Sequence, residues 1–344
     1  MKYMITGGYG FIGANFILKT LEDKNNVVLN IDKISYCSSP QIFKDFSNER
    51  LNTIKKDINA VNLNDIICDF KPDRIIHFAA ESHVDRSIDS PKEFIDSNII
   101  ATYKLLEAIR FYSQLNKEFK YIHISTDEVY GSLGFEDEPF TENSCYDPSS
   151  PYSSSKASSD HLAMAWQKTY DLPILLTNCS NNFGPWQFPE KLIPLTIINI
   201  INKKPISIYG SGKNIRDWLY VEDHVDAINK VSEHGIIGEK YNIGGNNEKN
   251  NLEIVKTIID IMGQIDKKYQ GANDLIQMVS DRPAHDLRYA INPLKINSQL
   301  NWYPKKDFHD AILNTVEWYL KNTKWWENIL ETKYKGDRLG VLEK

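Results

Sequence analysis

Two neighbouring acids and a tyrosine–lysine pair are the residues of this chain whose types and spacing could do chemistry. Asp127 and Glu128 follow an apolar, strand-like run over 120–124, and Tyr152 precedes Lys156 by four positions. A spacing of four places two side chains on one face of a helix, where a lysine ammonium can stabilise a tyrosine phenolate. Beside a bound oxidant, such a phenolate could take the proton of an alcohol. The two acids could then remove and donate protons in an elimination.

Each pattern also has a plainer interpretation. A tyrosine and a lysine four residues apart occur by chance on amphipathic helices, and adjacent acids are often a solvated loop. The catalytic interpretation is favoured here because a glycine-rich turn near the start of the chain predicts that the same domain binds a dinucleotide.

The glycine-rich turn is Gly7-x-x-Gly10-x-x-Gly13, which follows a predicted strand and opens a predicted helix. Glycines let the backbone turn sharply and approach a pyrophosphate, which the N–H groups of the helix N-terminus can bind. Asp32, at the end of the second strand, can accept hydrogen bonds from a ribose diol and repel a 2′-phosphate, which predicts NAD rather than NADP. Lys33 weakens this preference, because a neighbouring cation could tolerate the phosphate. Further residues expected along the dinucleotide lie in the turn or at the ends of later strands: Phe11, Ile12, Asp57, Ile58, Phe78, Ala79 and Ala80.

An alternation of strands and helices must position these residues. Apolar runs predict strands over 2–6, 27–32, 53–56, 74–78, 120–125 and 173–178, and longer patterns predict helices over 12–21, 98–112 and 151–170. This alternation is typical of an α/β protein with a Rossmann-type, doubly wound parallel sheet. Turns rich in Pro, Gly and Asn in the second half predict a smaller, mixed α/β C-terminal substrate lobe. The predicted divisions are 1–180 for NAD binding, with a return strand near 240–244, then 181–330 for the substrate and 331–344 as a peripheral tail.

The composition argues against several classes of function. The chain has 344 residues, 41% hydrophobic and 25% charged, which is typical of a globular protein large enough for two lobes. A net charge of −6 argues against nucleic acid as a partner. The four cysteines form no C-x-x-C pair and the histidines lack metal-ligand spacing, so we expect no metal and a reducing, cytoplasmic location. We also expect no membrane partner, because no apolar run approaches about 18 residues.

Longer phrases of the sequence resemble the extended short-chain dehydrogenase/reductases and, among these, the nucleoside-diphosphate-glucose 4,6-dehydratases. The matching phrases cover nearly the whole chain, at 79–87, 125–131, 151–157, 179–185, 188–194, 214–224, 241–245 and 281–286. The acid pair at 127–128 separates this resemblance from the sugar epimerases, which usually carry small or hydroxyl residues there. Three places depart from the pattern that we expect of the family: Asn178 in place of an arginine, Ala284 in place of a glycine, and the turn at 36–40.

The resemblance implies a reaction on a nucleotide sugar, best known with dTDP-glucose, in which NAD is tightly held. Tyr152 would take the proton of the 4-hydroxyl while hydride leaves C4. Glu128 would remove the C5 proton, Asp127 would protonate the departing 6-hydroxyl, and hydride would return to C6. Thr126 would hydrogen-bond the sugar, and Lys156 would assist the tyrosine. The resemblance also adds three residues to the expected cofactor site: Ser82, Ser97 and Asn182.

Basic and polar residues of the second half predict a site for the substrate's diphosphate. The forked guanidinium of Arg216 suits phosphate oxygens, and Arg282 and Lys191 would assist it. His83 is ambiguous between a contact with substrate and a structural hydrogen bond. The other candidates are neutral donors or, by resemblance, residues along the sugar and the base: Ser82, Thr126, Asn181, Leu192, Ser207, Ile208, Tyr209, Asn251 and His285.

Three hypotheses of function stay open at this point. The first is a 4,6-dehydratase acting on dTDP-glucose or on a UDP-, CDP- or GDP-linked sugar. The second is a 4-epimerase or a decarboxylase, which would share Tyr152 but should lack the acid pair. The third is a non-enzymatic dinucleotide sensor, which should have lost Tyr152 or Lys156. The resemblance favours the first and implies a homodimer through the helices at 98–112 and 151–170.

Overall fold

The computed structural model of the chain describes residues 1–44, 46, 49–116, 118–283, 285–334 and 336. Ala284, which departs from the expected pattern, lies outside the described residues, and so does most of the predicted tail beyond 334.

A seven-stranded parallel sheet forms the centre of the larger lobe, in the strand order β10-β6-β5-β4-β1-β2-β3. Every neighbouring pair in it is parallel. The chain order reverses direction between β1 and β4, and open α/β sheets bind ligands in the crevice at such a point. The strands are β1 (Lys2–Thr6), β2 (Val27–Ile31), β3 (Leu51–Ile54), β4 (Arg74–His77), β5 (Lys120–Thr126), β6 (Ile174–Cys179), β7 (Asn181–Phe183), β8 (Ile206–Tyr209), β9 (Ile215–Tyr220), β10 (Lys240–Ile243), β11 (Glu248–Asn250) and β12 (Ile276–Val279).

Helices cover both faces of this sheet, as a doubly wound fold requires. The alternation of side chains along β1 shows the two faces: Met4 packs with α2, α5 and α6, whereas Tyr3 and Ile5 pack with α1, α8 and α10. The helices are α1 (Phe11–Thr20), α2 (Leu63–Phe70), α3 (Val84–Asp89), α4 (Pro91–Phe94), α5 (Ala101–Ser113), α6 (Pro151–Tyr170), α7 (Leu192–Asn202), α8 (Val221–His234), α9 (Asn251–Ile265), α10 (Leu294–Leu300), α11 (Phe308–Lys321) and α12 (Thr323–Thr332). The predicted fold class is confirmed.

The smaller lobe is built from the second half of the chain around its own apolar core. It contains a mixed three-stranded sheet, β11-β9-β7, and a parallel pair, β12-β8. Helices α7, α9, α11 and α12 enclose the core. The second half also returns to the larger lobe, because β10 pairs with β6 and α8 packs against α1. The division at residue 180 therefore stays a prediction, with these returning segments in the larger lobe.

Two local features fix the element that carries the tyrosine–lysine pair. Helix α6 begins at a capping box, in which Ser150 and Ser153 exchange side-chain-to-backbone hydrogen bonds, and Pro151 occupies its first position. Before α5, a π-helical turn over Ile95–Ile100 carries the buried Asn98. The Asn98 amide bonds both backbone groups of Glu81 and the hydroxyl of Ser155, so it ties the segment after β4 to α6.

Candidate functional site

The glycine turn and the segment after β4 lie so close together that no side chain fits between them. Gly7 has φ +71°, and a Cβ built on it would lie 2.6 Å from the backbone nitrogen of Ala79. A Cβ on Gly13 would lie 2.5 Å from the carbonyl oxygen of Gly7. These two glycines are therefore required by the packing of β1, α1 and β4 around the crevice.

A cavity of about 280 Å³ opens at this crevice. It contains every residue that the sequence predicted for the cofactor, although binding itself stays a prediction for each of them. They are Gly7, Gly10, Phe11, Ile12, Gly13, Asp32, Lys33, Asp57, Ile58, Phe78, Ala79, Ala80, Ser82, Ser97, Tyr152, Lys156 and Asn182. Helix α1 begins at Phe11 beside this space, and the N-terminus of a helix is a favourable place for a pyrophosphate.

Asp32, the acid expected at the ribose, is buried and accepts several hydrogen bonds from the protein. Asp32 accepts hydrogen bonds from the backbone N–H groups of Tyr9 and Ile34 and from the Ser38 hydroxyl. Burial raises the pKa of its carboxyl, and these hydrogen bonds oppose the rise. Lys33, beside it, forms an ion pair with Glu81 at 2.7 Å. The lysine charge is thus neutralised by a carboxylate, which weakens its capacity to accept a 2′-phosphate.

The tyrosine–lysine pair lies at the inner wall of the same cavity, and both side chains are buried. The Lys156 ammonium donates to the carbonyl oxygen of Ile124 at 2.8 Å, which fixes it beneath the end of β5. Burial raises the pKa of the Tyr152 hydroxyl well above its usual value, and the charge of Glu128 raises it further. A hydrogen bond with Thr126 acts in the opposite direction. The protein alone therefore disfavours the phenolate that the sequence led us to expect.

The acid pair begins a short 3₁₀ turn directly after β5, and its two carboxyls meet different surroundings. Asp127 is 2% exposed, and its Oδ2 has no hydrogen-bond partner among the residues that the structure describes. Glu128 is half-buried and lines the cavity with Thr126 and Tyr152.

Burial raises the pKa of both carboxyls, but their charged neighbours differ. For Asp127 the next causes, Glu128 and Asp217, raise the pKa further, so that it lies well above its usual value. For Glu128 the next causes are Arg282 and Arg216, which lower the pKa. The arrangement favours a protonated Asp127 beside an ionised Glu128, which is an acid next to a base.

The residues predicted for the substrate are divided between the cavity and the adjacent small lobe. Ser82, Thr126, Asn181 and Lys191 line the cavity. Arg216 is buried on β9, where it donates to two backbone carbonyls and stacks on Tyr289 at 4.3 Å.

Three further substrate candidates, Arg282, Tyr209 and His285, lie close to one another in the small lobe. Arg282 pairs with Asp85 at 3.2 Å, and the Tyr209 hydroxyl donates to the other oxygen of that carboxylate. His285 lies 2.5 Å from Asp281 and edge-on to the Tyr209 ring.

The remaining candidates have more limited access to a ligand. Ile208 is buried in the small-lobe core, so only its backbone could contact a nucleobase. Ser207, next to it on β8, is exposed, and Leu192 and Asn251 are half-buried at the starts of α7 and α9. His83 is buried with its Nε2 4.0 Å from Glu190 and its Nδ1 without a hydrogen-bond partner among the described residues, so both alternatives for this histidine stay predictions.

The structure also brings together residues that the sequence did not single out. Asp85 and Arg86 on α3 both reach the small lobe, where Arg86 pairs with Glu190 at 2.9 Å. Asn178, which departs from the expected family pattern, lies beneath the turn that carries the acid pair, where it donates to the Thr126 carbonyl and contacts the buried Asp160. Asp85, Arg86 and Glu190 belong to two of the matching phrases, at 79–87 and 188–194, which is the signal that could have identified them.

Two findings limit the kinds of site that the described part of the chain contains. Its histidine, cysteine and acidic side chains do not gather into a group that could hold a metal ion. None of its helices has the length and apolar character needed to cross a membrane.

Comparison with known proteins identifies the family. A family model described as GDP-mannose 4,6 dehydratase matches residues 4–315. The dTDP-glucose 4,6-dehydratase of Neisseria meningitidis is 48% identical, over 99% of both chains. The solved dTDP-glucose 4,6-dehydratase of Bacillus anthracis, in complex with NAD, is 42% identical with a TM-score of 0.84, covering 96% of this chain and 99% of that one. The enzyme of Streptomyces venezuelae, also solved with NAD, is 36% identical with a TM-score of 0.87, covering 96% and 100%. The chain therefore belongs to the family of nucleotide-sugar 4,6-dehydratases that this model describes.

Proposed function

We propose that this enzyme converts dTDP-glucose into dTDP-4-keto-6-deoxyglucose and water, using NAD without net oxidation. The observation that carries the proposal is the acid pair beside Tyr152: Glu128 lines the cavity expected to hold a dinucleotide, and the buried Asp127 precedes it in the same turn. Neither a 4-epimerase nor a cofactor sensor needs two carboxyls whose pKa values are driven apart at this position.

The cofactor would lie across the crevice, with its pyrophosphate at the turn Gly7–Gly13 and its adenosine ribose at Asp32. When bound, NAD accepts hydride from C4 of the sugar and returns it to C6. The buried Lys156 and the turn after β5 then position the groups that move protons around the ring.

Three side chains would carry those protons. Tyr152 takes the proton of the 4-hydroxyl, and its raised pKa is overcome only when the positive charges of Lys156 and the nicotinamide lie beside it. The 4-ketone acidifies the C5 proton, which the ionised Glu128 removes and then returns to C5 when hydride is added at C6. The protonated Asp127 delivers its proton to the 6-hydroxyl, which leaves as water.

The substrate's diphosphate would be held by cations at the rim of the cavity. Arg216 is presented rigidly by its backbone hydrogen bonds and its stacking on Tyr289. Arg282 and Lys191 lie near enough to Glu128 to lower the pKa of its carboxyl, and so near the expected position of the sugar.

The direct test is incubation of the purified enzyme with dTDP-glucose and NAD, followed by detection of the absorbance that 4-keto-6-deoxy sugars develop in strong base. UDP-, CDP- and GDP-glucose run in parallel decide which nucleotide is preferred. Epimerised sugar without the keto product would support the 4-epimerase alternative instead. No turnover of any of the four substrates would contradict the proposal.

We also infer that the enzyme is a homodimer of the cytoplasm. Its four cysteines are free thiols, which suits a reducing compartment. On the surface of α5 and α6, the exposed rings of Tyr103 and Tyr170 flank the half-buried Trp166 and contact it. Exposed apolar patches of this kind mark protein–protein interfaces.

A further inference from the structure

Three side chains from separate parts of the chain meet above the cofactor cavity, and we call them the clasp: Tyr36, Arg86 and Glu190. The Glu190 carboxylate, whose side chain is 3% exposed, accepts a hydrogen bond from the Tyr36 hydroxyl at 2.8 Å. Its other oxygen accepts from Nε of Arg86 at 2.9 Å. The Arg86 guanidinium also stacks on the Tyr36 ring, 3.8 Å from its centre. Each member of the clasp therefore contacts both of the others.

The clasp joins the two rims of the cavity. Tyr36 lies in the loop after β2 and Arg86 on α3, both in the larger lobe, whereas Glu190 lies in the segment before α7 of the small lobe. Tyr36 and Glu190 line the cavity themselves. Phe188, next to Glu190 in the chain, packs edge-on against Tyr36 at 5.4 Å and extends this junction.

Opening the clasp would be costly, because it would leave a buried carboxylate without its hydrogen bonds and without its cation. Separation of these two rims would widen the opening through which a dinucleotide held between them could leave. We infer that the clasp, by bonding the rims of the cavity to each other, sets how long NAD stays bound between turnovers. This inference rests on the proposed function in one respect, that the cavity holds NAD.

The test measures how long NAD stays bound to the enzyme and does not depend on turnover. Parent and variants are loaded with NAD and passed through a desalting column, and the NAD that remains bound is measured over time. Arg86→Gln keeps a long polar side chain but removes the cation, and we expect NAD to dissociate roughly tenfold faster or more, since losing one partner of a buried pair acts mainly on dissociation. Tyr36→Phe keeps the ring over the cavity and removes only the hydroxyl, so we expect a smaller acceleration in the same direction.

Asp85→Asn is the matched control. Asp85 is the neighbour of Arg86 on α3, and its contacts also bridge the lobes, but they are made with Arg282 and Tyr209 and not with Tyr36 or Glu190. We expect Asp85→Asn to retain NAD for as long as the parent. Melting temperatures of all four proteins show whether each variant is folded, and Tyr36→Phe tests the inference even where Arg86→Gln is unstable.

Two results would overturn the inference about the clasp but not the proposed function. One is parent-like retention of NAD in both clasp variants. The other is equally fast loss of NAD in Asp85→Asn, which would show that retention depends on the contacts between the lobes in general. A parent that takes up no NAD at all would overturn the clasp together with the proposed function. Faster loss confined to Arg86→Gln and Tyr36→Phe supports the clasp.

Discussion

Asp127 and Glu128 show how one short turn can supply an acid and a base. Both carboxyls are withdrawn from water, which raises both pKa values. Their charged neighbours separate them: after burial, other acids act most strongly on the pKa of Asp127 and raise it, whereas arginines act most strongly on the pKa of Glu128 and lower it. Sequence adjacency predicts that two carboxyls are present, but only the surrounding charges decide which of them holds the proton.

The role of Glu128 can be isolated by Glu128→Gln, which keeps the shape and removes the base. Oxidation at C4 does not use this carboxyl, so the first hydride transfer should still occur, while loss of a general base slows elimination by about 10²–10⁴-fold. Reduced cofactor should therefore accumulate on the enzyme, seen as NADH absorbance after mixing with dTDP-glucose. Turnover at the parent rate, with no such absorbance, would show that another residue removes the C5 proton.

Arg282, near Glu128, should influence the pH at which the acidic limb of the pH–rate profile falls. Glu128 must be ionised to act, so the rate is lost as pH falls through its raised pKa. Arg282→Gln removes the cation that lowers the pKa of Glu128 most strongly, so this pKa should rise. The acidic limb of kcat should therefore move to higher pH. The exposed Lys305 serves as control, because Lys305→Gln removes one positive charge without contact with the site. A limb unchanged in Arg282→Gln would exclude Glu128 as its origin.

At the scale of elements, α6 presents Tyr152 and Lys156 from its first turns, so its N-terminus must be well defined. The Ser150 cap is what defines it. Ser150→Ala should lower the free energy of unfolding by about 1 kcal/mol, the usual cost of a lost cap. Because the same change frays the turn that carries Tyr152, kcat should fall as well.

Asp307→Ala provides the comparison for this effect. Asp307 caps α11 through hydrogen bonds to two backbone N–H groups, in the small lobe and outside the cavity. Denaturant unfolding should show a similar loss of stability in both variants, with kcat reduced in Ser150→Ala alone. If both variants lost kcat equally, the effect would belong to global stability and not to the position of α6.

Much of the element pattern could be predicted from the sequence, because buried parallel strands are short apolar runs and α1 follows its glycine turn. The predicted helix over 151–170 has the bounds of α6, and the strand over 2–6 has those of β1. The strand predicted over 53–56 lies earlier in the chain, as β3 (Leu51–Ile54). The π turn before α5 was also missed, because apolar periodicity does not distinguish it from α-helix. That turn is what brings Asn98 to the segment after β4.

At the scale of the whole molecule, prediction from the sequence was weakest where the two lobes meet. Arg86 and Glu190 are 104 positions apart, and Asp85 and Arg282 are 197 apart. No periodicity or turn signal relates residues at such separations. That the candidate cofactor residues line one cavity was easier to predict, because they follow strand ends that must meet at one edge of the sheet. The raised pKa of Tyr152 in the protein alone could not be predicted from the sequence for a similar reason, since burial and the charge of Glu128 come from the assembled fold.

The last prediction concerns a second copy of the chain. On the surface of α5, Tyr103 and Phe111 are each 44% exposed, and the Tyr103 ring contacts Trp166 of α6, which in turn contacts Tyr170. In a two-fold dimer each substitution acts twice, so Tyr103→Asp should place two desolvated charges in one interface and shift the enzyme to monomers. Tyr303→Asp alters an equally large, exposed ring away from this face and should leave the dimer intact. Sedimentation velocity at several protein concentrations distinguishes the two species. A Tyr103→Asp variant that sediments as the parent does would place the interface elsewhere, and a monomeric parent would refute the dimer altogether.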